Sequence, residues 1–85
     1  QVHLTDVMKM ERGYTSQFAR QAILKGFRDI PELHHIYALL PKHNRLAIKV
    51  AKDCGMSYEG ILKKSFLYGG KMEDSLIYSI TREDI

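Results

Sequence analysis

Asn44-Arg45-Leu46-Ala47-Ile48-Lys49-Val50-Ala51-Lys52-Asp53-Cys54-Gly55-Met56 opens the stretch that decides the fold; Tyr58-Glu59-Gly60, Gly69-Gly70-Lys71-Met72-Glu73-Asp74, Tyr78 and Arg82-Glu83-Asp84 complete it. Asn44 is a favoured residue for accepting the first unpaired N–H groups of a helix. Ala47, Val50, Ala51 and Cys54 then recur at i, i+3, i+4 and i+7, which places them on one apolar stripe. Gly55 falls where a helix closes on a left-handed residue. Beyond it, residues 57–67 and 71–80 read as two strands around the hairpin signal Tyr68-Gly69-Gly70. In the second of these, Leu76, Tyr78 and Ile80 alternate with Ile77 and Ser79.

Upstream, His35 to Leu40 is a short apolar run of the kind that suits a strand buried on both faces, and Pro41 ends it. Before Pro31, the residues Phe18, Ala19, Ala22, Ile23 and Phe27 form one helical face, with Thr15 or Ser16 as its cap. Residues 2–8 are compatible with a strand, although their alternation is incomplete. The order is β-α-β-α-β-β, an α/β (α+β) chain with no repeat, linker or internal boundary, so residues 1–85 are read as a single domain. The expected core is Phe18, Ala22, Ile23, Ile36, Ala38, Val50, Ala51, Cys54, Leu76 and Tyr78.

With 85 residues, 45% of them hydrophobic and 27% charged, the chain supports one modest core. A net charge of +3 is dispersed along the sequence rather than blocked, so it suits anionic small molecules at least as well as nucleic acid. No apolar run approaches the length of a membrane span, and no signal-peptide pattern is present. The single cysteine, Cys54, excludes an internal disulfide and fits a reducing, cytoplasmic setting. Its place on the apolar stripe makes it a small buried hydrophobe rather than a nucleophile. His34 and His35 are adjacent and point to opposite faces of a strand, and His3 and His43 lack supporting ligand spacing, so no metal site is expected. The chain begins at Gln1, as a processed or excised piece would.

The segment Met10-Glu11-Arg12-Gly13-Tyr14-Thr15-Ser16 lies between a strand and a helix. Gly13 lets the backbone turn tightly, and the N–H groups that open the helix then face an anion. Glu59 is of the type needed to take a proton from an attacking ammonium. It also precedes Gly60, a position suited to a bulge in a hairpin strand.

Taken together, these fragments resemble, in order and spacing, the C-terminal half of the Gcn5-related N-acetyltransferases (GNAT), most closely the branch that acetylates ribosomal-protein N-termini. The resemblance covers roughly residues 10–84 and implies a partial GNAT fold, with a mixed sheet lacking the family's N-terminal strands and helices. It further implies acetyl-coenzyme A as cofactor, bound at residues 10–16, with strands 2–8 and 34–40 splaying apart to receive it. Backbone N–H groups of strand 2–8 would polarise the thioester carbonyl. Asn44 would contact the pantetheine arm and Lys49 the adenosine 3′-phosphate. Glu59 and Tyr78 stand at family positions near the chemistry, although Tyr78 equally suits core packing and Glu59 a structural role in the hairpin. Asp74 would fix the turn before the last strand.

Three departures from the family pattern bear on activity. Ala47 occupies a position where the family often has Ser, Met10 replaces a polar residue of the loop, and Thr15 stands where Gly or Ala is usual. Two functions therefore remain open: acetyl transfer to an amine, performed by a larger unit of which this is the C-terminal half, or a non-catalytic binding or assembly module that keeps the fold without the chemistry. An exposed sheet edge would call for a second chain or a homo-oligomer to complete the sheet.

Overall fold

The computed structural model describes residues 2–4 and 16–85, and in its first helix the side chains from Ala19 onward. The expected strand at 5–8, the loop at 10–15 and the Phe18 side chain lie outside the described residues. The elements run β1 (Val2–His3), α1 (Ser16–Asp29), β2 (His35–Pro41), α2 (Arg45–Asp53), β3 (Ser57–Tyr68), β4 (Lys71–Thr81) and a closing 3-10 turn (Arg82–Asp84). The four strands form one mixed sheet in the order β1-β2-β4-β3. β1 pairs parallel to β2, while β4 pairs antiparallel to both β2 and β3. This is an α+β fold, as its sequence pattern implies. Among the described residues, no helix is long and apolar enough to cross a membrane.

One face of the sheet carries the core. Ile36, Ala38 and Leu40 of β2 sit opposite Ile80, Tyr78 and Leu76 of β4, which puts all six on one face. They pack with Ala19, Ala22, Ile23 and Phe27 of α1, with Ala51 of α2, and with Cys54 and Met56 just beyond it. Val50 and Leu76 are only partly buried at the margin of this cluster.

β2 is not buried on both faces. Its burial alternates strictly, with Ile36, Ala38 and Leu40 enclosed and His35, Tyr37 and Leu39 half-exposed. Both helices contribute to the cluster on the first face, and among the described residues no helix covers the second. The strand also runs one residue further than expected, and includes Pro41.

Local signals place α2. The Asn44 carbonyl oxygen accepts the Ala47 N–H at 3.1 Å, as an N-cap does. At the other end, Gly55 has φ 89°, its N–H reaches the Lys52 carbonyl at 3.0 Å, and the Met56 N–H reaches that of Ala51 at 3.1 Å. That pair of bonds is a Schellman closure. A side chain at Gly55 would also crowd the Arg20 guanidinium, which lies 3.3 Å from where a Cβ would stand.

The β3–β4 hairpin turns on Gly69 and Gly70, with φ of 59° and 80°, the backbone of a type I′ turn. β3 then breaks register twice, between Tyr58 and Gly60 and between Leu62 and Phe66. At the second break Lys64 takes φ 49°, and its N–H donates to the Asp74 carboxylate at 2.9 Å. Asp74 thus fixes this bulge rather than the Gly69-Gly70 turn.

Candidate functional site

Because β1 and β2 run parallel with α1 between them, α1 begins at the carboxyl end of the pair. The next helix, α2, begins immediately past the end of β2. Two helix N-termini therefore face the same end of the sheet, at Ser16 and at Arg45. Open α/β arrangements gather ligands at the carboxyl ends of parallel strands, and helix N-termini favour anions there. Asn44 stands at this end, exposed, with its carbonyl oxygen engaged as the α2 cap. Ala47, in the first turn of α2, is half-buried against the core and offers no hydroxyl. Lys49 is exposed on α2 and pairs along the helix with Asp53, Nζ to Oδ2 at 2.8 Å. Of the proposed anion loop, Ser16 is described as the first residue of α1; Met10, Glu11, Arg12, Gly13, Tyr14 and Thr15 lie outside the described residues.

The parallel seam is short. Val2 and His3 pair with Ile36 and Tyr37. Two residues further along β2, the Leu39 N–H donates not to a strand backbone but to the His3 imidazole, at 3.2 Å to Nε2. Nε2 accepts in this bond, so the proton of a neutral His3 ring sits on Nδ1.

The second face of the sheet holds the other candidate. Glu59 occupies the first β3 bulge, and its carboxylate accepts a short hydrogen bond from the Ser79 hydroxyl of β4. Ser79 is directly opposite Tyr37 of β2, and Tyr37 is opposite His3 of β1. The His3 and Tyr37 rings meet edge to face, centroids 5.0 Å apart, and His35 stacks on Tyr37 at 6.2 Å. A polar row thus crosses all four strands: His3, Tyr37, Ser79, Glu59. Beside it lies a pocket of about 470 Å³, lined by His35, Tyr37, Leu39, Glu59, Leu62 and Ile77. The expected bulge at Glu59-Gly60 is present, and it turns the Glu59 carboxylate toward this face.

Tyr78 lies on the opposite side of the sheet. It is 5% exposed, packed within the core and edge to face with Tyr58 at 5.8 Å. The fold therefore separates Tyr78 from Glu59. Sequence reading missed Tyr37, Ser79 and His3 as companions of Glu59. The available signal was the alternation His35-Ile36-Tyr37-Ala38-Leu39-Leu40, whose odd-numbered positions share a face by the period of a strand.

Cys54 is buried where α2 closes, and its carbonyl accepts the Arg20 guanidinium at 3.0 Å. Burial pushes its thiol above the ordinary range; Arg20 partly opposes this shift and Asp53 adds to it. An apolar, protonated thiol is a packing group rather than a nucleophile.

No protein-family model and no curated protein matches the chain. Solved structures do. It superimposes on an acetyltransferase of the GNAT family from Bacillus anthracis with a TM-score of 0.73 and 32% identity, over 86% of this chain and 43% of that one. For Mycobacterium smegmatis RimJ, solved in complex with CoA-disulfide, the TM-score is 0.71 and the identity 27%, over 82% of this chain and 34% of that one. For a chimera of the spermidine N-acetyltransferase SpeG from Vibrio cholerae with hSSAT, the values are 0.71 and 26%, over 86% and 44%. The chain spans less than half the length of each of these structures, and its architecture matches part of the GNAT fold.

Proposed function

We propose that this chain is the C-terminal part of a GNAT acetyltransferase domain that transfers an acetyl group from acetyl-coenzyme A to an amine. The observation that carries the reading is the fold match to GNAT acetyltransferases at 32% identity, over 86% of this chain. It is supported by the arrangement of two helix N-termini at the carboxyl end of a parallel strand pair, which suits a pyrophosphate. The relatives cited above include a protein solved with CoA-disulfide, which is consistent with coenzyme A as the cofactor here. The finer assignment is to the branch acting on ribosomal-protein N-termini; the acceptor would then be a protein N-terminus, or otherwise a small amine.

The residues at the carboxyl end fit such a cofactor. The loop at 10–16 would hold the pyrophosphate through backbone N–H groups, with Lys49 turned from Asp53 toward the 3′-phosphate. Asn44, while its oxygen caps α2, would present its amide N–H to the pantetheine arm. Acetyl-coenzyme A supplies the activated acyl group. Glu59, on the uncovered face, is the group of this chain suited to receive the ammonium proton, and transfer relies mainly on positioning of the two reactants. Tyr78 acts from the core, by fixing β4 against β2 beneath Ser79. The further elements of the domain, from this polypeptide, a second copy or another chain, would cover the uncovered face. A cytoplasmic setting fits this chemistry.

Ala47 favours a second reading. A first-turn alanine has no proton to give to a departing thiolate, so the module would bind coenzyme A or a partner without efficient turnover. The test is thiol release from acetyl-coenzyme A with N-terminal peptides and small amines, comparing wild type with Ala47→Ser. Amine-dependent release, raised by the serine, supports the transferase. Coenzyme A binding without release from either variant supports the binding module.

A further inference from the structure

We propose that the pocket on the uncovered face is the subsite for the ammonium end of the acceptor, with Glu59 as its counter-charge and Ser79 as the residue that positions Glu59. This inference deepens the amine-acetylating reading and rests on it. Its basis is the polar row across the sheet. Ser79 is 3% exposed, although the face around it is uncovered by any helix. Its hydroxyl donates to Glu59 and lies opposite Tyr37 in register. One carboxylate oxygen is thereby held, and the carboxylate is aimed along a wall of the pocket.

The remaining walls select the kind of ligand. Leu39, Leu62 and Ile77 are aliphatic, and Tyr37 and His35 present ring surfaces. No lysine or arginine lines the pocket, so Glu59 is its one formal charge at neutral pH with His neutral. A cavity of about 470 Å³ with apolar walls and one pinned carboxylate fits a primary alkylammonium better than an anion or an uncharged polar molecule. The Tyr37 ring adds a face on which a cation is attracted. The bulge is what makes this arrangement possible. An uninterrupted β3 would alternate Tyr58, Glu59 and Gly60 regularly, whereas the register break lets Glu59 share a face with Gly60 and reach Ser79.

The experiment uses the 85-residue chain labelled with nitrogen-15. Amide shifts are followed on addition of n-butylammonium chloride, with n-butanol as the uncharged match, for wild type, Glu59→Gln, Ser79→Ala and Ser79→Thr. Melting temperatures confirm folding of each variant, and coenzyme A binding is measured in parallel. Butylammonium is expected to shift the amides of Tyr37, Glu59 and Ser79, with butanol doing so at least tenfold more weakly. Glu59→Gln should weaken the ammonium at least tenfold without changing coenzyme A affinity. Ser79→Ala should weaken it several-fold, and Ser79→Thr, which keeps the hydroxyl, should recover most of that loss. Equal responses to ammonium and alcohol, or unchanged ammonium affinity in Glu59→Gln, would overturn the subsite. Ammonium binding here with no coenzyme A binding to wild type would overturn the transferase reading instead, and leave the ammonium site standing.

Discussion

Arg82 and Phe27 are joined twice: the guanidinium donates to the Phe27 carbonyl at 2.5 Å, and its carbon lies 5.3 Å from the centre of the Phe27 ring. The same group reaches the carbonyls of Ile30 at 2.9 Å and Leu33 at 2.6 Å. One side chain from the end of β4 thus satisfies the carbonyls left unpaired where α1 stops before Pro31, and ties that helix to the sheet. Arg82→Ala should therefore cost on the order of 2–3 kcal/mol in urea unfolding, because several bonds to a charged donor are lost at once. Arg82→Lys should recover less than half, since a single ammonium cannot span carbonyls on both sides of the turn. A loss under about 0.5 kcal/mol for the alanine would place the tie at the surface, with surface magnitudes.

The two inward positions of α2 should differ sharply. Ala51 is 1% exposed and Val50 lies at the margin of the core. Ala51→Asp buries an unpaired charge and should abolish cooperative unfolding, because that cost approaches the whole stability of a small domain. Val50→Asp should leave a folded protein with a lowered melting temperature. The reverse ranking in a thermal melt would mean that α2 is rotated about its axis.

Asn44 has separable roles. Asn44→Ala removes the cap and should cost about 1 kcal/mol. Asn44→Asp keeps a capping oxygen and loses the amide N–H, so it should melt near wild type while binding coenzyme A more weakly. If both variants bind coenzyme A as wild type does, Asn44 is a cap alone.

Cys54 sets a pH dependence. Its folded pKa is raised by burial, so its contribution to stability is complete below the unfolded thiol pKa of about 8.5 and is lost as pH rises through the folded value. Wild type should lose stability across that alkaline window more steeply than Cys54→Ala, while reacting slowly with a thiol reagent at neutral pH. Parallel pH profiles for the two proteins would show that the thiol ionises as freely folded as unfolded.

The residues that announced their structure are those whose signals are local. Asn44 and Gly55 bound α2 because a cap and a left-handed closure depend on the few residues around them. Gly69 and Gly70 set the hairpin for the same reason. What escaped the sequence depends on partners distant along the chain. The kink at Lys64 is held by Asp74, ten residues on. A run of strand-formers carries no mark of where its register will slip. His35 to Leu40 reads as continuously apolar because Tyr37 and Leu39 are hydrophobic by type, yet that face has no helix over it. Glu59 was visible as a candidate by type, but its alignment with Ser79 and Tyr37 is a property of strand register. Resemblance to a family located Asn44, and the helix N-termini now give that location a physical basis.

The most direct test of the central claim is titration of coenzyme A into the nitrogen-15-labelled chain while following backbone amides. The expected result is saturable shifts at Ser16, Asn44 and Ala47, the residues around the two helix N-termini, with binding at least tenfold weaker in Gly13→Asp. Saturable binding whose shifts fall elsewhere, or equal affinity in wild type and Gly13→Asp, would contradict the account.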